Sequence, residues 1–191
     1  MTQMKSGLLI LAVLAAVLTG CAGMKPTIFL HPEYNFGYIE KVAVIPFENL
    51  SKEQGAASRA TRLFLSELLA TESFEVVEPG EVSQALEKFA TVRAAQLTQA
   101  QLVEIGKQLG VQALFLGSVN ESSSMRSGSA STRIVTMVVR LVETDAGVTV
   151  WSATHTEGGR GFWASLFGTG QKSESEVTRN CVKKTLKTLI N

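Results

Sequence analysis

Lys41-Val42-Ala43-Val44-Ile45-Pro46-Phe47 is a near-continuous apolar run that ends in a proline and an aromatic. A strand with one solvated face alternates apolar and polar side chains, whereas a strand covered on both faces reads apolar throughout. Pro46 cannot donate to a ladder and marks where pairing stops. The run therefore predicts the central strand of a sheet sandwiched between helices.

Working outward from that strand, residues 56 to 71 place Ala60, Phe64 and Leu68, with Leu65 and Leu69 beside them, on one helical stripe that should cover the sheet. Phe74-Glu75-Val76-Val77 reads as a short second strand, and Pro79-Gly80 breaks it before a helix carrying Val82, Leu86 and Phe89. Thr98 followed by Gln101 has the form of a capping box; Leu102, Ile105 and Leu109 then recur at helical spacing until Gly110. Residues 111 to 119 form a third buried strand. Asn120 to Thr132, rich in serine, reads as a flexible loop by composition. Ile134 to Val142 and Val148 to Thr154 flank a turn at Asp145 and read as a long antiparallel hairpin. A last helix from about Glu174 carries Val182, Leu186, Leu189 and Ile190. The order βαβααβββα predicts a single α/β domain with a mixed sheet of about five strands flanked by helices.

The opposite end of the chain carries a different signal. Lys5 supplies a positive start, Gly7 to Leu18 an apolar stretch too short to span a bilayer, and Leu18-Thr19-Gly20-Cys21 a small-residue processing site. This stretch resembles the lipobox of bacterial lipoproteins. The resemblance implies cleavage between Gly20 and Cys21, diacylglycerol on the Cys21 sulfur and an acyl chain on its new amine, and no other cofactor. Several acyl chains together make a lasting anchor where one binds only marginally. Ala22 stands where aspartate would resemble an inner-membrane retention signal, so the implied location is the periplasmic face of the outer membrane. The expected division is a signal peptide at 1–20, a lipidated cysteine and tether at 21–37, and the α/β domain at 38–191. The 16 residues of the tether would reach on the order of 50 Å when extended.

Composition narrows the chemistry. The mature chain carries 17 basic residues against 17 acidic ones, so net charge attracts no nucleic acid. Cys181 is the one thiol left beside Cys21, and its helical setting predicts a packing role. Asp145 is the only aspartate, and His31 and His155 are the only histidines. With no Walker loop, HExxH or nucleophile elbow, neither a catalytic residue nor a metal ligand is predicted. Glu48 and Glu143 read as solvated or hydrogen-bonded surface groups.

The lipobox, the first strand continued to Glu48-Asn49, the Glu75-Val76-Val77-Glu78 strand, the run Leu109 to Val119 and the hairpin Val138 to Ser152 together resemble the curli-secretion lipoprotein family (CsgG) and its relatives. These include the TolB amino-terminal domain, the synthase activator LpoB and the polysaccharide lipoprotein PelC. The resemblance implies a non-enzymatic envelope protein that oligomerises or docks on other export or assembly proteins. In the curli exporter two insertions build a membrane pore; they correspond here to residues 120–132 and about 156–174. A membrane hairpin needs about 20 residues of alternating character. The first insertion, with 13, is too short and polar, and five glycines interrupt the second. A self-built channel is disfavoured, and a regulator of the LpoB kind would need a longer linker than this tether. The second insertion still carries Phe162, Trp163, Leu166 and Phe167, which would share one side of a helical turn. They either contact the inner leaflet or a neighbouring subunit, or fold back as a lid on the sheet.

Overall fold

A computed structural model describes residues 25–89, 94–127, 130–158 and 172–190. Seven strands form one mixed sheet: β1 (Thr27–Leu30), β2 (Lys41–Val44), β3 (Glu48–Asn49), β4 (Glu75–Val76), β5 (Ala113–Ser127), β6 (Ala130–Glu143) and β7 (Thr149–Gly158). Four α-helices accompany them among the described residues: α1 (Ala56–Leu69), α2 (Pro79–Leu86), α3 (Gln99–Leu109) and α4 (Glu174–Leu186). The strand order is β1-β7-β6-β5-β2-β4, with β3 pairing β5 beyond the end of β2. β2 lies parallel to β4 and β5, and the β5-β6-β7-β1 half is antiparallel.

The Lys41–Phe47 run sits between β4 and β5 as its composition predicts. Val42 and Val44 enter one core with Phe64 and Leu68 of α1 and Val182 and Leu186 of α4. Ala43 and Ile45 enter a second core with Val82 of α2 and Leu102 and Ile105 of α3. Alternate residues point to opposite faces, so a strand with helices on both sides must be apolar at every position. Within the first core Phe47, Phe64, Phe115 and Trp151 form a chain of tilted and edge-on ring contacts at 5.1, 5.1 and 6.3 Å. The α3 capping box is present, with Thr98 N–H donating to Gln101 Oε1 at 2.8 Å and Gln101 N–H to Thr98 Oγ1 at 3.3 Å. Gly110 ends α3 at φ 62°, a left-handed cap that glycine adopts without strain.

Several expectations need correcting. The sheet holds the five expected strands and two short ones, β1 and β3. The stretch read as tether to residue 37 contains β1, which pairs antiparallel with β7 from Thr27↔Thr154 to Leu30↔Trp151. Pro26 and Pro32 bracket it, and four residues are too few to show a period. Asn120 to Thr132 is not a loop: β5 continues to Ser127 and β6 begins at Ala130, so the hairpin is far longer than expected. Composition misled because a ladder already in register adds pairs without a new loop closure, whatever the side chains. The ladder slips by one residue between Val119 and Glu121, a β-bulge that bends the arm. β7 also runs on to Gly158, which shortens the second insertion. Leu69, expected on the buried stripe of α1, is exposed at the helix end.

Candidate functional site

The antiparallel half of the sheet and α4 converge on one polar site. Glu157 stands next to last in β7, and its side chain retains 10% of its exposure. Lys184 of α4 reaches its Oε2 at 2.6 Å, and Lys172, just before α4, approaches Oε1 at 3.7 Å. His155 Nε2 lies 3.4 Å from Oε2. The Lys172 carbonyl accepts from Arg133 Nη1 of β6 at 2.8 Å, and Ser173 Oγ caps α4 by accepting the Glu176 N–H at 3.1 Å. Residues 157 and 172, which flank positions 159–171 in the sequence, are therefore clamped together. Burial alone would push the Glu157 carboxyl up, but the hydrogen bond and charge of Lys184, followed by His155 and Lys172, outweigh it and hold the group below the usual carboxylate range.

A second network lies beside the clamp. Arg59 of α1 pairs with Glu53 Oε1 at 2.6 Å and lies 3.7 Å from Glu174 Oε2. Arg133 Nε stands 3.6 Å from Glu174 Oε1. Ser122 of the β5 arm donates to the other Glu53 oxygen. Glu53 is opposed by its own burial, yet the Ser122 and Arg59 hydrogen bonds and the Arg59 charge bring it below its ordinary value. The network ties the loop before α1, the long hairpin and the start of α4 to one another.

Nucleophilic chemistry is absent from this arrangement. The Cys181 thiol is buried and donates to the carbonyl oxygens of His155 at 3.4 Å and Val135 at 3.8 Å, not to the imidazole. Burial, reinforced by the Glu157 charge, pushes it up to about 12, so it carries no thiolate near neutrality. The packing role is as expected, with burial complete. Asp145 lies in the β6–β7 turn, and Glu143 is buried where a surface group was expected. Its carboxylate accepts the N–H groups of Asp145, Ala146 and Val148 and shapes that turn. His155 is buried within β7. Among the described residues no group of three or more His, Cys, Asp or Glu side chains could hold a metal ion. No helix among them is long and apolar enough to cross a membrane.

Of the residues singled out from sequence, Gly20, Cys21, Phe162, Trp163, Leu166 and Phe167 lie outside the described residues. What the structure adds is the frame around the last four, which sequence reading missed. Glu157 and Lys184 are 27 positions apart, and the one available hint was a glutamate close before a glycine-rich insertion and a lysine close after it.

Fold and site together define a class: a single mixed-sheet α/β domain with ion-pair networks that organise loops rather than a reaction centre. A model of the family described as "Peptidoglycan-synthase activator LpoB" matches residues 31–156, most of the chain, and the chain belongs to that family. Membership makes it a non-enzymatic accessory protein of the cell envelope. No curated protein matches the sequence. Among solved structures, the fold is similar to a PelC dodecamer from Paraburkholderia phytofirmans, with TM-score 0.60 and 19% identity over 87% of this chain and 98% of that one. It is also similar to lipoprotein GNA1162 from Neisseria meningitidis, with TM-score 0.57 and 14% identity over 80% of this chain and 96% of that one. At such identities the likeness speaks for the fold alone. Of the expected resemblance, the LpoB family is met by the family model and the likeness to PelC is met in the fold.

Proposed function

We propose that the chain is an outer-membrane lipoprotein, acylated at Cys21 after cleavage behind Gly20, whose domain works as a docking subunit close to the periplasmic face of that membrane. The observation that carries this reading is the position of β1. Thr27 stands only six positions after Cys21, a reach on the order of 20 Å. A domain so tied acts on partners at the membrane rather than across the periplasm. Assembly into an oligomer fits the same geometry, and a PelC dodecamer shares the fold. The aromatic stretch that lies in sequence between Glu157 and Lys172, with Phe162, Trp163, Leu166 and Phe167, is the contact we assign to lipid or to the next subunit.

The test is the mass of the mature protein in mild detergent, by light scattering corrected for bound detergent, with intact mass spectrometry on the same sample. Three acyl chains on Cys21 and a closed oligomer are expected. An unacylated chain refutes the anchor, and a strict monomer refutes the oligomer.

A second reading is favoured by the family match: regulation of a peptidoglycan synthase that itself approaches the outer membrane. Stimulated glycan polymerisation by a purified synthase on adding the mature protein, at unchanged substrate, is the expected result. A rate that does not change with saturating protein removes that reading. An export role in curli or polysaccharide secretion has support only from the resemblance of sequence.

A further inference from the structure

Among the described residues no strand pairs with the outer edge of β1, and that edge is the least explained surface of the domain. Ile28, Phe29 and Leu30 are 45%, 48% and 49% exposed. Long apolar edges invite strand addition, and folded proteins usually blunt them with charge or cover them.

Backbone geometry says what fits there. His31 N–H donates to the Val150 carbonyl at 2.8 Å, so in this antiparallel register His31, Phe29 and Thr27 turn their polar groups toward β7. The N–H and C=O groups of Ile28 and Leu30 then point outward, away from the sheet. A hydrocarbon surface could cover the side chains but would leave those groups unpaired, which lipid interiors do not tolerate. A further strand satisfies both. The available window is short and symmetric about Phe29, with Pro26 three residues before it and Pro32, which opens a turn, three residues after it. Charge is arranged with the same symmetry: exposed Lys25 stands four residues before Phe29 and exposed Glu33 four residues after it.

We infer that β1 pairs antiparallel with β1 of a second copy of this chain across a two-fold axis at Phe29. Ile28 and Leu30 of each copy exchange backbone hydrogen bonds with Leu30 and Ile28 of the other, and the two Phe29 side chains meet on one face. The antiparallel sense brings the Lys25 end of each strand to the Glu33 end of its partner, whereas a parallel pair sets like charges together. The contact area is small for a soluble dimer. Anchoring at Cys21 six residues away holds neighbouring β1 edges at one height and raises their effective concentration; this step rests on the acylation proposed above. An isologous contact of this kind closes on itself.

The experiment is disulfide trapping in the mature, membrane-bound chain, with the unsubstituted chain as blank because Cys181 is buried. At a non-hydrogen-bonded antiparallel pair the Cα atoms stand about 4.5 Å apart, within disulfide range. Phe29→Cys should give a covalent dimer under mild oxidation. Ile28→Cys and Leu30→Cys alone should give several-fold less, and mixing those two variants should restore it. Glu33→Lys should weaken trapping at position 29, and adding Lys25→Glu should recover it. Equal yields at 28, 29 and 30 would indicate random collision and overturn the pairing. So would a Phe29→Cys thiol that stays monomeric and open to a water-soluble maleimide, one shielded from maleimide by lipid without cross-linking, or one captured by a different protein. Unchanged thermal unfolding shows that each variant is folded. Intact mass reads acylation separately, so loss of the anchor and loss of the pairing give different results.

Discussion

Glu157→Gln tests whether an ionised carboxylate holds the clamp. The substitution keeps shape and hydrogen-bonding capacity but removes the charge that Lys184 meets at 2.6 Å and Lys172 at 3.7 Å. A hydrogen bond to a charged group contributes about 1.5–3 kcal/mol. Both lysines are about half exposed, so solvent screens them and about 1–2 kcal/mol at neutral pH is the reasonable loss. The pH dependence carries the stronger inference. The folded carboxyl titrates below its ordinary range, so its contribution is complete above the unfolded value of about 4.3 and disappears as pH falls through the depressed folded value. Glutamine has no such titration. Urea unfolding of the mature chain by circular dichroism should therefore separate the two proteins by about 1–2 kcal/mol at pH 7 and narrow that gap as pH falls below about 4.3. Glu53 also titrates low, but it is common to both proteins and cancels in the difference. A gap that keeps its full size as pH falls, down to the acid limit at which the chain still folds, would refute the ionic clamp and assign the loss to packing. A variant more stable than the parent at pH 7 would show that desolvation of Glu157 outweighs its partners.

Three further outcomes follow from the same structure. Phe115 meets Phe64, Phe74 and Trp151 at ring separations of 5.1, 6.2 and 6.3 Å, so Phe115→Ala should cost about 3–5 kcal/mol in urea unfolding and Phe115→Leu distinctly less; equal costs would deny the ring contacts a part. A Cβ on Gly106 of α3 would overlap the Thr144 side chain, whose hydroxyl donates to the Val111 carbonyl at 2.6 Å. Gly106→Ala should thus lower the melting temperature despite alanine's higher helix propensity, by about 1–3 kcal/mol of overpacking, and a stabilised variant would contradict that fit. Cys181, with its thiol raised to about 12, should stay inert to a disulfide reagent at pH 8 in the folded chain and react fully in urea; rapid native reaction would contradict its burial.

The central strand, the four described helices in outline and the β6–β7 turn were legible in the sequence because each is a local property. Two-sided burial makes Val42 to Ile45 apolar at every position, helical burial repeats through Ala60, Phe64 and Leu68, and Thr98 with Gln101 writes its cap within four residues. The processing site proposed at Gly20-Cys21 rests on a short linear pattern of the same local kind. Tertiary structure alone decided that Thr27–Leu30 is a strand, since four residues between prolines become one only when β7 offers an edge. The same holds for the serine-rich arm, which is extended because the ladder behind it is already in register. Glu157, Lys172 and Lys184 form a clamp only because β7 and α4 pack together, and electrostatic partners chosen by packing leave no period in the chain. The outward backbone of Ile28 and Leu30 follows from the hydrogen bond of His31 to Val150, a choice between two sides of a strand that the amino-acid order cannot express.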